Sequence, residues 1–384
     1  MDFTKAELER YSRHLILPEF NIEGQRKLKL GSVLVIGSGG LGSPLLLYLA
    51  AAGVGKIGIV DFDVVDDSNL QRQVLFTVQH VGTPKAIAAA QRIQDLNPHI
   101  EVVVHNERFT RENARDLVRQ YDVVADGTDN FPTRYLVNDA CVLEGKVNVY
   151  ASIYRFEGQC SVFNALQPDG ERGPNYRDLF PSPPPPGLVP SCAEGGVLGV
   201  LPGILGSLQA LEVIKVLSGV GDPLIGRLFL FDATSFTTRT VKIRKHPGNP
   251  LTGEHPTQTE LIHYEQFCGL NEPAEELVVQ HTLEPRALAE WKAQGKPHLV
   301  VDVREPYEFA IANLGGELIP VDTVSESLHR IPRDIPVVVH CRSGIRSARA
   351  ISLLEREHGY SNLHNLQGGI LAWQAEINPA LARY

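Results

Sequence analysis

Short apolar runs alternate with helical patterns along most of this chain, and this alternation restricts the fold more than any other feature. Residues 33–36 are an apolar run, a helical pattern covers 45–52, and 57–60 form a second apolar run. A buried strand, a glycine turn, a helix and another buried strand make a βαβ unit of a parallel sheet. The pattern continues through 101–104, 122–125 and 147–150. The sequence therefore predicts an α/β fold.

The alternation stops twice. Residues 168–191 contain a run of prolines, so we expect a long exposed loop there, with neither helix nor central strand. Residues 246–273 are rich in Pro, Gly and polar side chains, which is typical of a linker. Strand-like runs return at 299–303 and 335–340. We predict a first domain at 1–248, a linker at 249–277 and a small α/β domain at 278–384.

Composition limits the partners and the compartment. The 384 residues include 36 Lys and Arg against 45 Asp and Glu, a formal charge of −9, which provides no basic surface for nucleic acid or an anionic membrane. Five cysteines without a Cys-x-x-Cys pair are typical of a reducing compartment. The N-terminal segment is charged and lacks the apolar core of a secretion signal. We expect a cytoplasmic protein.

One apolar stretch, 195–217, is long enough to suggest a membrane span. It contains Pro202, Gln209, Glu212 and Lys215, however, and these polar groups are costly in hydrocarbon. A buried helix with a glycine-rich entry is the better interpretation.

The first predicted strand runs into a glycine-rich turn that opens a helix. The residues of this turn are Gly37, Ser38, Gly39, Gly40, Leu41 and Gly42. Backbone N–H groups and the positive end of the helix dipole would face an anion there. Asp61 ends the next strand, where a carboxylate can accept hydrogen bonds from ribose hydroxyls. This Rossmann-like pattern fits NAD as well as ATP.

Further motifs distinguish between the two nucleotides. They are Asp61-Phe62-Asp63, Ser68-Asn69-Leu70-Gln71-Arg72-Gln73, Thr83-Pro84-Lys85 and Asp126-Gly127-Thr128-Asp129-Asn130. This array resembles the adenylating enzymes of the E1 superfamily, in particular the MoeB/ThiF group that activates ubiquitin-like sulfur carriers for molybdopterin, thiamin and thiolated tRNA. The resemblance extends from about Tyr11 to Asn249, about two thirds of the chain.

The resemblance implies roles for the matching residues. Asp61 would hold the ribose, and Asp129 would bind magnesium. Arg72 would reach the site of a neighbouring protomer, which implies a homodimer. The set implied for ATP is Gly37, Gly39, Gly40, Gly42, Asp61, Ser68, Asn69, Arg72, Lys85, Asp129 and Asn130, with Arg13 and Arg72 as catalytic cations.

Adenylation chemistry agrees with this array. When a carboxylate attacks the α-phosphate of ATP, negative charge spreads over that phosphorus and the leaving pyrophosphate, and fixed cations with Mg²⁺ stabilise it. The attacking carboxylate is already ionised at neutral pH, so no general base is required.

Residues 195–212 also resemble this family, in which a mobile crossover loop that carries a cysteine comes just before the segment. The matching residue is Cys192. A thiol on a loop flanked by prolines could reach an acyl adenylate, so we predict a catalytic role. The alternative is a small residue that only ends the loop.

The sequence departs from the family at one feature. Many relatives hold a structural zinc with two Cys-x-x-Cys pairs, whereas the matching positions here are Asn175, Asp178, Asn249 and Thr252. Oxygen ligands of this kind do not make a tight zinc site, so we expect no structural zinc. His246 and His255 flank the second pair and leave a mixed site as the alternative.

A second reactive motif lies in the last domain. An apolar strand ends at Cys341, and a helical pattern begins at Ala348. The loop between them contains Cys341, Arg342, Ser343, Gly344, Ile345 and Arg346. Backbone donors and two arginines would stabilise a negative charge on this sulfur, so the loop predicts a reactive thiolate.

The last domain resembles the rhodanese family along its whole length, through residues 302–309, the Cys341 loop and residues 366–373. The resemblance implies that Cys341 carries a persulfide. Four residues separate Cys341 from Arg346, one fewer than in related phosphatases, and the smaller ring of donors favours a terminal sulfur over a phosphate. Asp302 is interpreted as support for the loop, bonded to an arginine.

Together the two motifs predict a bifunctional adenylyltransferase and sulfurtransferase. ATP and Mg²⁺ would activate a ubiquitin-like sulfur carrier that ends in Gly-Gly, and the Cys341 persulfide would then form its thiocarboxylate. The sulfur donor, a cysteine desulfurase or thiosulfate, and the pathway stay open. The alternatives are E1-like activation for protein conjugation, a nicotinamide oxidoreductase with an added sulfurtransferase, and a scaffold without catalysis.

Overall fold

The structure, a computed structural model, describes residues 3–185, 195–269 and 281–384. The chain divides into two units, Met1–Asn271 and Glu272–Tyr384. Each unit has its own sheet and its own apolar core.

The first unit is built on an eight-stranded sheet with the order β3-β2-β1-β4-β5-β6-β7-β8. Its first five strands are parallel, and β6, β7 and β8 continue the sheet in antiparallel fashion. The strands are β1 (Ser32–Ile36), β2 (Lys56–Val60), β3 (Glu101–His105), β4 (Val123–Asp126), β5 (Val147–Tyr154), β6 (Glu157–Phe163), β7 (Arg227–Asp232) and β8 (Thr237–Lys242). The predicted α/β fold with a parallel sheet is confirmed.

Helices connect and cover these strands. They are α1 (Lys5–Arg10), α2 (Ser12–Leu15), α3 (Asn21–Leu30), α4 (Gly42–Ala52), α5 (Lys85–Leu96), α6 (Ala114–Arg119), α7 (Phe131–Leu143), α8 (Tyr176–Leu179), α9 (Leu201–Ser218) and α10 (Tyr264–Phe267). Short 3-10 helices cover Asp67–Asn69 and Val78–His80.

The connection from β1 to α4 depends on glycine at two positions. Gly37 has a φ of +88°, a conformation that costs glycine little and strains other residues. At Gly42, a Cβ atom would lie 2.1 Å from the carbonyl oxygen of Gly37. Larger residues at these positions would force the turn apart, so the sequence selects the tight strand-to-helix turn found here.

The apolar stretch considered above as a membrane span forms α9. This helix is 18 residues long with a mean hydropathy of 1.3, and half of it is buried inside the first unit. Gln209 donates from Nε2 to the carbonyl oxygens of Asp126 and Val149, 2.8 Å from each. The helix is thus fixed to β4 and β5, as expected of a core helix.

The second unit contains a five-stranded parallel sheet with the order β11-β10-β12-β13-β9. Its strands are β9 (Thr282–Leu283), β10 (Leu299–Asp302), β11 (Glu317–Leu318), β12 (Val337–His340) and β13 (Leu363–Leu366). Its helices are α11 (Pro285–Ala293), α12 (Pro306–Ile311), α13 (Ile345–His358) and α14 (Gly369–Glu376), with 3-10 helices at Val321–Glu326 and Leu328–Arg330.

The prediction for residues 168–191 was wrong for part of this segment. Helix α8 lies within it, and Asn175, Tyr176 and Arg177 are buried. Asn175 caps the helix by accepting a hydrogen bond at its side-chain oxygen from the N–H of Arg177. This local cap and the buried contacts of Arg177 stabilise the helix, although the surrounding prolines predict a loop.

Part of the range predicted as a linker also has defined structure. Asn249, Leu251, Tyr264 and Cys268 are buried, and α10 contacts α7 of the first unit. The division between the two units falls later, between Asn271 and Glu272. Residues 249–269 therefore belong to the first unit instead of forming a free connection.

Candidate active site

A cavity of about 530 Å³ lies at the carboxyl ends of β1 and β4. These strands are neighbours where the strand order reverses, with β2 and β3 on one side and β5 on the other. Open α/β sheets bind ligands at such a switch point. The glycine turn after β1 and the residues after β4 meet here, since a Cβ atom on Gly37 would lie 3.1 Å from the oxygen of Gly127.

Asp61 lies on the cavity wall and is 8% exposed. Its Oδ2 accepts hydrogen bonds from the N–H and the hydroxyl of Ser38, at 2.8 and 2.7 Å. Its Oδ1 accepts a hydrogen bond from the N–H of Asp63, at 3.0 Å. Asp61 therefore also fixes the glycine turn, which the motif alone does not reveal.

Two predicted cations line the same cavity. Lys85, at the start of α5, is 6% exposed, and its Nζ lies 3.1 Å from Oδ2 of the half-exposed Asp63. Arg72 lines the cavity of its own chain and donates from Nη1 to the carbonyl oxygen of Ser68, at 3.1 Å. Arg72 thus lies at the cavity of its own chain, and its role at the site of a neighbouring protomer stays a prediction.

Residues that follow β4 complete the wall opposite the glycine turn. Asp129 and Asn130 are exposed on the cavity, and Asn130 caps α7 by accepting a hydrogen bond from the N–H of Thr133, at 3.0 Å. Asp126, beneath them, is buried, and its Oδ2 has no hydrogen-bond partner among the described residues. Burial raises the pKa of the Asp126 carboxyl above its usual range.

The structure does not bring every predicted residue to the cavity. Arg13 is exposed on α2 and lies outside the cavity lining, as do Ser68, Asn69 and Gly42. Gly42 and Asn69 act locally: Gly42 permits the tight turn, and Asn69 accepts a hydrogen bond from the N–H of Asp66. Cys192 lies outside the described residues.

Sequence reasoning missed several residues of this site. Gln73 is 5% exposed, lines the cavity, and has a side-chain oxygen without a partner among the described residues. Arg134, on α7, also lines the cavity, and Arg108 stacks at 4.0 Å on the ring of Phe62. Gln73 belongs to the motif quoted above, so its position could have suggested a role. Nothing in the sequence marks Arg108.

The four positions that match zinc ligands come together in the structure and form hydrogen bonds with one another. Asn175 donates from Nδ2 to the Thr252 hydroxyl, at 2.9 Å. Asn249 donates from Nδ2 to Oδ1 of Asp178, at 2.8 Å, and to Oδ1 of Asn175, at 3.2 Å. We call these four residues the amide brace. Among residues 3–185, 195–269 and 281–384, no group of three or more His, Cys, Asp or Glu could hold a metal ion. The brace does not fit zinc.

A buried ion pair lies next to the amide brace. Arg177 donates from Nε and Nη2 to the two carboxylate oxygens of Asp139, at 2.8 and 2.7 Å, and both side chains are almost fully buried. Tyr264 and Gln258 donate to the same carboxylate, at 2.8 Å each. The guanidinium also lies 4.7 Å from the centre of the Phe267 ring. This pair joins α7 and α8 to residues 258–267, part of which lines the cavity at the ends of β1 and β4.

The loop after β12 surrounds the sulfur of Cys341. Cys341 is 1% exposed, and its Sγ accepts hydrogen bonds from the N–H of Gly344, at 3.1 Å, and from the hydroxyl of Ser347, at 3.5 Å. Gly344 has a φ of +97°, which turns its N–H towards the sulfur at the start of α13. Backbone and hydroxyl donors can therefore stabilise a negatively charged sulfur here.

Charged pairs hold this loop from outside. Arg346 donates from Nη1 and Nη2 to the two carboxylate oxygens of Glu308, at 2.6 and 2.7 Å. Burial raises the pKa of Glu308, but the hydrogen bonds from Arg346 and the N–H of Glu305 outweigh it, so this carboxylate stays ionised. Hydrogen bonding to Glu308 raises the pKa of Arg346.

A second buried pair lies beneath the loop. Arg304 donates from Nε to Oδ1 of Asp302, at 2.8 Å, and both residues are at most 1% exposed. The expected bond between Asp302 and an arginine is confirmed, and its role as support for the loop stays a prediction. His340 lies 3.5 Å from the same carboxylate, and burial lowers the pKa of its imidazole to about 4.

The other described cysteines have a different environment. Cys141, Cys160 and Cys268 are buried, and burial raises the pKa of each thiol, that of Cys268 to about 11. Thiols of this kind are poor nucleophiles.

A cavity beside a glycine-rich strand-to-helix turn in one unit and a loop of donors around a cysteine sulfur in the other are the two sites expected of an adenylyltransferase joined to a sulfurtransferase. The chain belongs to the ThiF family, whose model matches residues 11–251, and the rhodanese-like domain model matches residues 284–376. The resemblances to the E1 superfamily and to rhodanese are thus confirmed. These family matches favour an adenylating enzyme over the alternative of a nicotinamide oxidoreductase.

Curated relatives support the same class over nearly the full chain. The chain is 50% identical to a probable adenylyltransferase/sulfurtransferase MoeZ of Mycobacterium tuberculosis, over 99% of this chain and 96% of the relative. It is 43% identical to the adenylyltransferase and sulfurtransferase MOCS3 of Drosophila sechellia, over 99% and 86%. It is 56% identical to a sulfur carrier protein adenylyltransferase of Thermus thermophilus, over 70% of this chain and all of the relative.

Solved structures support the fold of the first unit. The crystal structure of E. coli MccB matches with a TM-score of 0.56 and 20% identity, over 66% of this chain and 75% of that chain. At this identity the likeness concerns the fold alone.

Proposed function

We propose that the first unit uses ATP and Mg²⁺ to adenylate the C-terminal glycine of a ubiquitin-like sulfur carrier, and that Cys341 then delivers sulfur to form a thiocarboxylate. The observation that carries this proposal is the presence of Asp61, Arg72, Lys85 and Asp129 on the wall of one cavity at the switch point of the sheet. The Thermus thermophilus relative, named a sulfur carrier protein adenylyltransferase, supports the choice of substrate.

In the first step, a carboxylate oxygen of the carrier attacks the α-phosphorus of ATP, and pyrophosphate leaves with the bonding electrons. Asp61 orients the ribose, and Lys85 exchanges its contact with Asp63 for one with a phosphate. Asp129 would hold Mg²⁺, which supplies charge neutralisation at the phosphates when bound. The chain's contribution is positioning and positive charge, because the attacking group is already an anion.

In the second step, the terminal sulfur of a Cys341 persulfide attacks the acyl carbon, and AMP leaves. The carrier is then joined to Cys341 as an acyl disulfide. A second thiol attacks Sγ of Cys341, so the thiocarboxylate leaves with the electron pair of the sulfur–sulfur bond and a disulfide remains on the protein. We propose Cys192 as this second thiol. A cellular reductant of the dithiol class then restores both cysteines.

The first assay of the proposal is pyrophosphate exchange. Lys85→Ala or Asp129→Ala should abolish carrier-dependent exchange of pyrophosphate into ATP, a loss of about 100-fold or more. Lys245→Ala, at an exposed lysine outside the cavity, is the control. Near-normal exchange in both cavity variants would contradict the ATP-site assignment.

The second assay is mass spectrometry of the carrier. Cys341→Ala should leave pyrophosphate exchange intact and stop the replacement of oxygen by sulfur at the carrier terminus. If the carrier still gained sulfur from a persulfide donor without free sulfide, Cys341 would not be the delivering residue.

Cys192→Ala should impair a later step than Lys85→Ala, since a second thiol acts only after the adenylate and the acyl disulfide have formed. The measurement is the rate of thiocarboxylate formation under limiting reductant. A wild-type rate in this variant would show that Cys192 has no catalytic role. A stable thioester on Cys192 that passes the carrier to an amine would instead favour the alternative of protein conjugation.

We also propose a homodimer in the cytoplasm. Arg13 is exposed outside the cavity of its own chain, so a catalytic Arg13 has to serve a partner. Tyr48 on α4 and Leu211 on α9, two helices that pack together, are exposed and offer apolar surface to an interface. Mixing Arg13→Ala chains with Lys85→Ala chains should restore up to about a quarter of the wild-type exchange activity, because half of the dimers would each contain one complete site. If mixing restored no exchange activity, the proposal that Arg13 acts in the partner's site would be contradicted.

A further inference from the structure

Four consecutive residues near the end of the first unit line the cavity, although they lie outside both family matches. These residues are Ile262, His263, Tyr264 and Glu265, called segment 262–265 below. The ThiF match covers residues 11–251 and the rhodanese-like match covers 284–376, so the segment belongs to neither. It therefore adds to the cavity a stretch of wall that the family resemblance does not imply.

Buried contacts fix segment 262–265 to the first unit. Tyr264 is 3% exposed, and its hydroxyl donates to Oδ2 of the buried Asp139, at 2.8 Å. Helix α10, which begins at Tyr264, contacts α7. Ile262 packs against the apolar cluster that includes Leu136 of α7. The segment thus has a defined position at the cavity.

A hydrogen bond joins segment 262–265 to the loop that follows β3. Arg111 donates from Nη1 to Nε2 of His263, at 3.1 Å. Both residues line the cavity, and both are exposed. The bond connects two stretches of the wall that are 152 residues apart in the chain, so the position of the segment depends on Arg111 as well as on α7.

The strand order shows which part of a nucleotide would meet this segment. The carboxyl ends of β3, β2, β1 and β4 follow one another along one edge of the sheet, because these strands are parallel. The glycine turn follows β1, Asp61 follows β2, and residues 107–112 follow β3. A nucleotide with its phosphates at the glycine turn and its ribose at Asp61 therefore directs its base to the β3 end. Segment 262–265 is bonded to that end.

The β3 end of the cavity also has the chemistry that a flat base requires. Phe62 directly follows Asp61, is half exposed and lines the cavity. The guanidinium carbon of Arg108 lies 4.0 Å from the centre of its ring. Aromatic rings and guanidinium planes stack on bases. The partly buried Ile262 adds apolar surface to the same cavity, so this end is suited to a nucleoside.

We propose that Ile262 and His263 form part of the base subsite, so that segment 262–265 sets how tightly the first unit holds the base of ATP. Ile262 contacts the base, and His263 is a positioning residue that keeps the segment in place through Arg111. This inference rests on the proposed use of ATP and adds to that site residues outside the ThiF match. Neither residue takes part in a chemical step, so their effect belongs to nucleotide binding.

Titration calorimetry of the full chain with two ligands, each in the presence of Mg²⁺, tests the subsite. ATP contains the base, whereas inorganic tripolyphosphate contains only phosphates. Ile262→Ala and His263→Ala should each weaken ATP binding about five- to tenfold, because contact with the base is lost, and should change tripolyphosphate binding less than about twofold. Lys85→Ala should weaken the binding of both ligands.

Pyrophosphate exchange provides a second readout. In Ile262→Ala and His263→Ala, the KM for ATP should rise about five- to tenfold and kcat should change less than about twofold, because the lost contact is the same in the ground state and the transition state. His263→Gln keeps a side-chain oxygen that can accept the bond from Arg111, so its KM should stay within about threefold of the wild-type value.

Gln266→Ala is the matched control. Gln266 lies on α10, is exposed, and lies outside the cavity lining. Its replacement should change neither the binding of the two ligands nor the KM for ATP. Urea unfolding followed by circular dichroism checks the fold of every variant. His263 is exposed, so His263→Ala still tests the inference if Ile262→Ala lowers stability.

Three results would overturn the inference. Unchanged ATP binding in both Ile262→Ala and His263→Ala would place the base elsewhere. Equal losses for ATP and tripolyphosphate in these variants would show that the segment supports the whole cavity instead of the base subsite. A fall in kcat with an unchanged KM would place its effect outside nucleotide binding. Failure of the proposed ATP site is distinct, because Lys85→Ala would then leave the binding of both ligands unchanged.

Discussion

The cavity of the first unit and the Cys341 loop of the second both follow an apolar parallel strand that turns into a helix, yet they are supported differently. The cavity is walled by residues from distant segments, from Gly37 to Tyr264, and Lys85 is paired with an exposed Asp63 that a ligand can replace. The loop encloses one sulfur within the six residues 341–346, and a two-point ion pair already fixes its Arg346. In a site for a large, charged substrate, the substrate can displace the carboxylate that pairs with a cation. In a site for a single sulfur atom, the ion pairs are already in their final arrangement.

The buried pair of Arg177 and Asp139, which joins distant segments near the first site, should be the most sensitive to substitution. Arg177→Ala leaves the buried Asp139 carboxylate without its cation, so we expect the free energy of unfolding of the first unit to fall by about 3–5 kcal/mol. Arg119→Ala, at a half-exposed ion pair with Glu144, should lower this free energy far less, because solvent screens an exposed pair. Urea unfolding followed by circular dichroism measures both. Because both tryptophans lie in the second unit, their fluorescence shows whether that unit is unaffected.

The buried His340, which directly precedes the Cys341 loop, predicts that the stability of the second unit depends on pH. Burial lowers the pKa of His340 from 6.5 to about 4, so between these values the unfolded chain binds a proton that the folded chain does not. The free energy of unfolding of the second unit should therefore fall as pH drops from about 6.5 to about 4, by at most about 3 kcal/mol. Tryptophan fluorescence during denaturation measures it.

His340→Gln removes the titrating group and should flatten this slope, while His329→Gln, at an exposed histidine, should keep it. A slope that persists unchanged in His340→Gln would show that another group controls the acid sensitivity.

A pair of charge-removing variants tests the comparison directly. Glu308→Gln breaks the preformed pair with Arg346, so sulfur transfer by the full chain should fall about tenfold. Asp63→Asn removes a partner that the nucleotide replaces, so pyrophosphate exchange should change by about twofold or less. If Asp63→Asn were as damaging as Glu308→Gln, the distinction between a replaceable and a preformed support would be wrong.

The smallest expected effect concerns metal. The amide brace offers one carboxylate, two amides and a hydroxyl, so the purified protein should contain no stoichiometric zinc, and treatment with a chelator should leave the thermal unfolding of the first unit unchanged. Elemental analysis and calorimetry measure these two quantities. One zinc per chain, lost together with folding on chelation, would contradict this interpretation of the four positions.

The features that sequence reasoning predicted are those encoded within a short stretch. The β1 strand, the glycine turn, Asp61 and the Cys341 loop are local patterns, and each has the predicted place in the fold. The missed features depend on contacts between distant residues. Nothing near Arg177 indicates that Asp139 will neutralise it, and nothing near Arg342 indicates that it will contact Tyr384, 42 residues later.

The wrong expectations have the same physical origin. Proline content suggested a loop at 168–191, but buried hydrogen bonds from other segments stabilise α8. The polar composition of 249–269 suggested a linker, but Asn249 and Tyr264 find partners on α7 and α8. Composition describes the preference of a segment for water and carries no information about specific polar partners elsewhere in the chain.

The amide brace has a consequence for a protein that handles reactive sulfur. Persulfides and acyl disulfides exchange with any accessible thiolate, and oxidants convert thiolates to sulfenic acid. A brace made of Asn175, Asp178, Asn249 and Thr252 contains no sulfur atom, and Cys141, Cys160 and Cys268 are buried. The brace of the first unit therefore offers no thiolate to such exchange, and its hydrogen bonds do not depend on the oxidation state of a cysteine.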